Sequence, residues 1–115
     1  MRQSINQVTE TLFRDVLLDP YAFPADLALY LREGKEWDLD QQAMITDPNL
    51  EEDEDSTVGQ RIANEKWQYI LEVSIVQSIM DYLSEVSPTP ALDMRLKSFV
   101  YYFEHDAFAE LVDLA

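Results

Sequence analysis

Ten acidic side chains fall between residues 33 and 55 against Lys35 alone, and residues 51–55 are five carboxylates in succession. Adjacent carboxylates cannot be buried without partners. This stretch must therefore lie largely in water, and the core must come from the apolar segments around it. Its local sum is −9 out of −15 for the whole chain, in which 8 Lys and Arg face 23 Asp and Glu. Such a chain repels nucleic acid and anionic membrane, and attracts a basic partner. Apolar types still make up 47% of the 115 residues, enough for a real core, and the length suits one domain over residues 1–115.

Residues 4–18 carry a helical signature. Ser4 and Gln7 fit a capping box, and Ile5, Val8, Leu12 and Val16 recur on one face with Phe13 and Leu17 beside them. Pro20 should stop that helix near Leu18. Leu27, Leu29 and Leu31 alternate with Ala28, Tyr30 and Arg32, which predicts a strand. Gly34 can then turn the chain with a positive φ, and residues 42–46 supply a weaker second strand, so a hairpin with a long connection is expected.

Residues 57–73 admit one long helix or a helix followed by a strand. The β-branched and aromatic run from Trp67 to Val73 favours the second reading, with a helix over 58–65 and a strand over 67–73. A new helix is signalled by Ser74 with Gln77 three positions on, and it carries Ile75, Ile79, Met80, Leu83 and Val86. Ser87-Pro88-Thr89-Pro90 breaks the chain. A last amphipathic helix follows with Leu92, Leu96, Phe99, Val100 and Phe103 on its apolar stripe. It frays or kinks near His105-Asp106, before Phe108, Leu111 and Val112. The pattern is α+β: a small antiparallel sheet of about three strands, packed on one face by three to four helices.

Little here supports catalysis. Cysteine is absent, which removes disulfides, thiolate nucleophiles and sulfur-ligated metals. With only Gly34 and Gly59, no phosphate-cradling loop can be written. The single histidine, His105, reads as a helix-end residue paired with Glu104 and Asp106, because no serine on a sharp Gly-x-Ser-x-Gly turn accompanies it. A calcium loop starting at Asp47 fails where Glu52 replaces glycine and Val58 replaces the closing glutamate. The chain is therefore expected to be no enzyme and to need neither cofactor nor metal. Residues 1–7 lack the apolar stretch of a secretory signal, and no run of about 18 apolar residues occurs, so a cytoplasmic location is expected.

The candidate partner-binding residues are the acids of the middle third with one aromatic: Glu33, Glu36, Trp37, Asp38, Asp40, Asp47, Glu51, Glu52, Asp53, Glu54 and Asp55. Facing charges speed association with a cationic surface, and Trp is enriched among residues that dominate interfaces. The same acids can instead form a solvated, solubilising loop, and Trp37 can instead fold back to cap the core. Tyr101 and Tyr102 are adjacent on the last helix, so one should point away from the apolar stripe.

Several segments together resemble a known group. These are Leu29-Tyr30-Leu31, then Glu36-Trp37-Asp38-Leu39-Asp40, the acidic Asp53-Glu54-Asp55, the strand-like Tyr69 to Val73, and Tyr101-Tyr102-Phe103-Glu104-His105-Asp106-Ala107-Phe108. In these the chain is similar to small acidic bacterial proteins, some of which resemble immunity proteins of contact-dependent growth inhibition. The resemblance spans roughly residues 29–108 and implies a cytoplasmic protein that binds and blocks one cognate toxin domain, very often a basic nuclease. A carboxylate cluster could occupy the phosphate subsites of such an enzyme. Two other classes stay open. One is a nucleic-acid mimic that inhibits a DNA- or RNA-binding defence protein. The other is an adaptor that self-associates as a homo-oligomer through an exposed helix face.

Overall fold

The computed structural model describes residues 8–34, 36–53 and 55–114. At its centre is an antiparallel sheet in the order β1-β3-β2-β4, with β1 at Thr9–Leu12, β2 at Ala28–Arg32, β3 at Gln42–Thr46 and β4 at Trp67–Glu72. Among the described residues five α-helices surround it: α1 (Phe13–Leu18), α2 (Thr57–Asn64), α3 (Val73–Val86), α4 (Leu92–His105) and α5 (Leu111–Leu114). The fold is α+β, as the sequence suggests, but the sheet gains a fourth strand.

That strand is β1, in a stretch whose sequence reads as helix. Ser4, Ile5 and Gln7, the supposed helix start, lie outside the described residues. Thr9–Leu12 pairs along β3, Thr9 opposite Ile45 and Leu12 opposite Gln42, and only from Phe13 does the chain turn helical. Two β-branched threonines and an open ladder position on β3 outweigh a helical stripe that one short turn satisfies, since Phe13, Val16 and Leu17 are all fully buried. Leu12, counted on the stripe, is 38% exposed instead.

Alternation across β2 builds two cores. Leu29 and Leu31 enter the larger one with Phe13 and Leu17 of α1, Val76 and Ile79 of α3, Phe99 of α4 and Leu114 of α5. Ala28 and Tyr30 point the other way, into a smaller core with Met44, Trp67, and Val58 and Ile62 of α2. Helices therefore cover both faces rather than one. Tyr30, Met44 and Trp67 leave too much apolar surface on the second face for it to stay open, and the four-residue spacing of Val58 and Ile62 closes it.

The helix-then-strand reading of residues 57–73 is the one the structure adopts. The phase of β4 shifts midway, because Leu71 pairs with Leu29 and Tyr69 with Tyr30, leaving Ile70 as the extra residue of a bulge. Ile70 thereby joins the larger core while Trp67 stays in the smaller one. Helix α3 begins at Val73, and Ser74 does not cap it. Its N-cap is Glu72, without a side-chain bond, and the Gln77 amide instead donates to the carbonyls of Pro20 and Phe23 at 3.2 and 3.3 Å. The Pro20 carbonyl also accepts from the Phe23 amide at 3.3 Å, so the buried Gln77 side chain ties this turn to α3 instead of closing the local box. Helix α4 ends where expected, with Asp106 in the left-handed conformation (φ 55°). No helix among the described residues is long and apolar enough to cross a membrane.

Candidate protein-interaction surface

The acidic third of the chain is divided by β3. Its first part connects β2 to β3, and its second leaves the far end of β3, a separation of about 15 Å at 3.4 Å per residue. The two parts also turn to opposite faces of the sheet. Trp37 packs against the larger core, whereas the Tyr30 hydroxyl of the smaller core donates to Glu51 Oε1 at 3.0 Å. The structure thus does not gather the candidate acids into one continuous patch.

The second part is organised by turns. Asp47 Oδ1 accepts from the Asn49 amide at 2.9 Å and Asp53 Oδ1 from the Asp55 amide at 3.0 Å, while Ser56 Oγ caps α2 at the amides of Val58 and Gly59. The loop lies hard on α2: a Cβ on Gly59 would meet the Leu50 carbonyl oxygen at 2.3 Å and that of Asp53 at 2.7 Å. Burial, then the bond to Glu51, pushes the Tyr30 phenol far above its usual pKa, so it stays a neutral donor. Glu51, Glu52, Asp53 and Asp55 are exposed, and Glu54 lies outside the described residues.

The first part is pinned to α1 and α4. The amides of Phe13 and Arg14 donate to the carbonyls of Gln41 and Leu39 at 2.9 and 3.1 Å, so the loop satisfies donors that the start of α1 leaves free. Asp38 Oδ1 accepts from the Asp40 amide at 2.8 Å, the Asp38 amide donates to Gln41 Oε1 at 2.6 Å, and Asp40 pairs with Arg14. Trp37 meets Phe103, Phe99 and Phe13 edge-to-face, at centroid distances of 4.8, 5.3 and 6.3 Å. It does fold back onto the core, yet it stays only partly buried. Glu33 stands apart. It is exposed, and its amide extends the β2 ladder to the Lys66 carbonyl at 3.0 Å.

Between this loop and α4 lies a cavity of about 500 Å³ lined by Glu36, Trp37, Val100, Phe103 and Glu104. It shares Glu36 and Trp37 with a hollow of about 480 Å³ toward Arg14, and Val100 and Glu104 with one of about 320 Å³ toward Lys97. The three form a groove along the outer side of α4, with an apolar floor and carboxylates at the rim. Phe103 is 42% exposed in it.

Sequence reading missed the α4 half of this groove. Leu96, Val100 and Phe103 share the stripe assigned to the core, but of that stripe only Phe99 is fully buried. The arc spans about 100°, the ordinary width of a core-facing stripe, so nothing in the sequence marks these residues as uncovered. Tyr101 and Tyr102 are both half-buried, Tyr102 against Phe108, and the residue turned outward is Phe103. His105 lies tilted against Tyr101, ring centroids 4.2 Å apart, with no ion pair to Glu104 or Asp106. Its ring finds a flat apolar partner one helical turn back, where the acids point to water. Among the described residues no three acidic or histidine side chains are grouped to hold a metal ion.

A family model spanning residues 10–111 matches all of these elements but the chain's outer ends. The chain belongs to the DUF7716 family. The family is described as a domain of unknown function, so membership brings no activity with it. No curated protein and no solved structure matches the chain.

Proposed function

We propose that this DUF7716 protein is an inhibitor that binds and neutralises a basic protein, as an immunity protein does its cognate toxin domain, with a basic nuclease as the favoured target. The observation that carries this reading is the groove on α4. It offers a partly exposed tryptophan locked by three aromatic neighbours, and a rim where Glu36 and Glu104 stand without a basic partner among the described residues. Rigid aromatic anchors slow dissociation, and a negative rim speeds encounter with a cationic surface. The work is done by binding, so the protein acts in the cytoplasm beside its target without cofactor or metal.

The test is co-expression with the polypeptide encoded immediately upstream, followed by co-purification and a cell-survival assay. Protection is expected, with affinity falling as salt rises and with Glu36→Lys combined with Glu104→Lys. Failure to protect, or binding indifferent to both salt and charge reversal, would overturn the proposal. A second reading has one observation in its favour. Val112 is 80% and Leu111 51% exposed on α5, a surface suited to self-association. Sedimentation of the protein alone in low and high salt separates the two readings, because an adaptor is oligomeric in both.

A further inference from the structure

The groove has more chemical definition than a generic negative surface. Its floor is aromatic, with Phe103 and Trp37 in edge-to-face contact at 4.8 Å and an interplanar angle of 72°. Its central cavity of about 500 Å³ carries one carboxylate from each wall, Glu36 from the β2–β3 loop and Glu104 from α4. Two described cations flank it in the adjoining hollows: Arg14 is engaged by Asp40, and Lys97, on α4, makes no ion pair with either glutamate. A flat cation suits this arrangement better than a compact one. A guanidinium is weakly hydrated, lays its face on an aromatic ring, and directs its N–H groups outward in its own plane toward carboxylates. An ammonium is a strongly hydrated point charge and gains less from the ring. The hollows on either side continue the groove along α4, which gives room for the chain that bears such a side chain.

The geometry points to an arginine-recognition site: the groove between Trp37 and Phe103 takes an arginine side chain of the partner protein, its guanidinium stacked on the aromatic floor and bound between Glu36 and Glu104. This rests on the reading of the protein as a binder of a basic partner, and goes further in naming the anchor. The site is separate from Glu51, which bonds Tyr30 on the other face of the sheet.

The experiment is a titration of the full chain, followed by the indole N–H resonances of its two tryptophans. The probes are three blocked peptides, Gly-Arg-Gly, Gly-Lys-Gly and Gly-citrulline-Gly. The arginine peptide should shift Trp37 saturably at millimolar concentration, with the lysine peptide about fivefold weaker and the neutral citrulline peptide inert. Trp67 is buried on the opposite face with its indole N–H bonded to Glu65 at 2.8 Å, so its resonance stays in place and reports that the fold is intact. Glu36→Gln with Glu104→Gln, both exposed, should weaken arginine roughly tenfold. Equal response to citrulline and arginine, or no response at Trp37 while Trp67 stays native, overturns the assignment. The functional reading fails separately: an upstream partner that binds independently of charge would defeat it even if arginine enters the groove.

Discussion

Gly59→Ala should destabilise the protein, against the usual rule for a helix. Ala is favoured over Gly inside a helix by about 1 kcal/mol, because it has less freedom to lose on folding. Gly59 sits within α2, so propensity alone forecasts a gain. The added methyl, however, would stand 2.3 Å from the Leu50 carbonyl oxygen and 2.7 Å from that of Asp53. Both obstacles are backbone, so neither can swing aside as a side-chain tip would. Overpacking of this kind costs about 1–3 kcal/mol. If the loop lifts instead, it carries Glu51 away from the Tyr30 hydroxyl, and a hydrogen bond to a charged group is worth about 1.5–3 kcal/mol. At its midpoint either route outweighs the propensity gain, leaving a net loss of about 1 kcal/mol and a Tm roughly 4 °C lower for a chain of this size. Urea denaturation followed by circular dichroism measures the first figure, and a thermal melt the second. A variant as stable as the parent, or more so, would show that the loop does not rest on α2 as described.

Other outcomes follow from the same contacts. Trp37→Ala removes three edge-to-face contacts and should cost about 2–4 kcal/mol in urea denaturation, with Trp37→Phe retaining most of it. Ser56→Ala deletes the cap of α2 and should lower stability by about 1 kcal/mol by the same assay. Tyr30 titrates above its unfolded value, so its contribution is complete below about pH 10 and fades as pH rises further, where the unfolded chain loses the proton first. Stability measured from pH 8 upward should fall more gently in Tyr30→Phe than in the parent. Glu65 is held below the usual carboxylate range by the Trp67 indole N–H and then by Arg61, so its contribution is present at neutral pH and disappears as pH falls through the acid range. Glu65→Gln should remove that part of the acid sensitivity in an acid-denaturation series.

Where a segment's periodicity matched its tertiary surroundings, sequence and structure agree. Residues 42–46, the weaker strand candidate, became β3 with those bounds, and the break at residues 87–90 separates α3 from α4. Disagreement arises where distant partners decide. Nothing local to Thr9 announces that β3 has an unfilled ladder beside it, and nothing near Gln77 announces the carbonyls of Pro20 and Phe23. The second layer, with α2 beneath the sheet, was readable in principle. Tyr30, Met44 and Trp67 are three large side chains on strand positions facing away from the main core. The site was half legible. The acids and Trp37 stand out as residue types, but the residues that complete the groove from α4 are indistinguishable from core by type, and only the sheet's geometry shows which acids are neighbours.

The division of the acidic stretch also separates two kinds of carboxylate. Asp38, Asp47 and Asp53 each accept from the backbone amide two residues further on. An aspartate side chain is short enough to close that ring, and a turn results. These charges are consumed in shaping the loops, so their abundance is no measure of affinity for a partner. Glu36 and Glu104 have one more methylene, make no such turn, and stand at the rim of the aromatic groove. Substituting the turn aspartates should therefore disturb loop structure first and binding second, whereas neutralising the two glutamates should weaken binding with the fold unchanged. The function of so acidic a chain is then sought in the few charges that folding leaves unused, next to an aromatic surface that folding leaves uncovered.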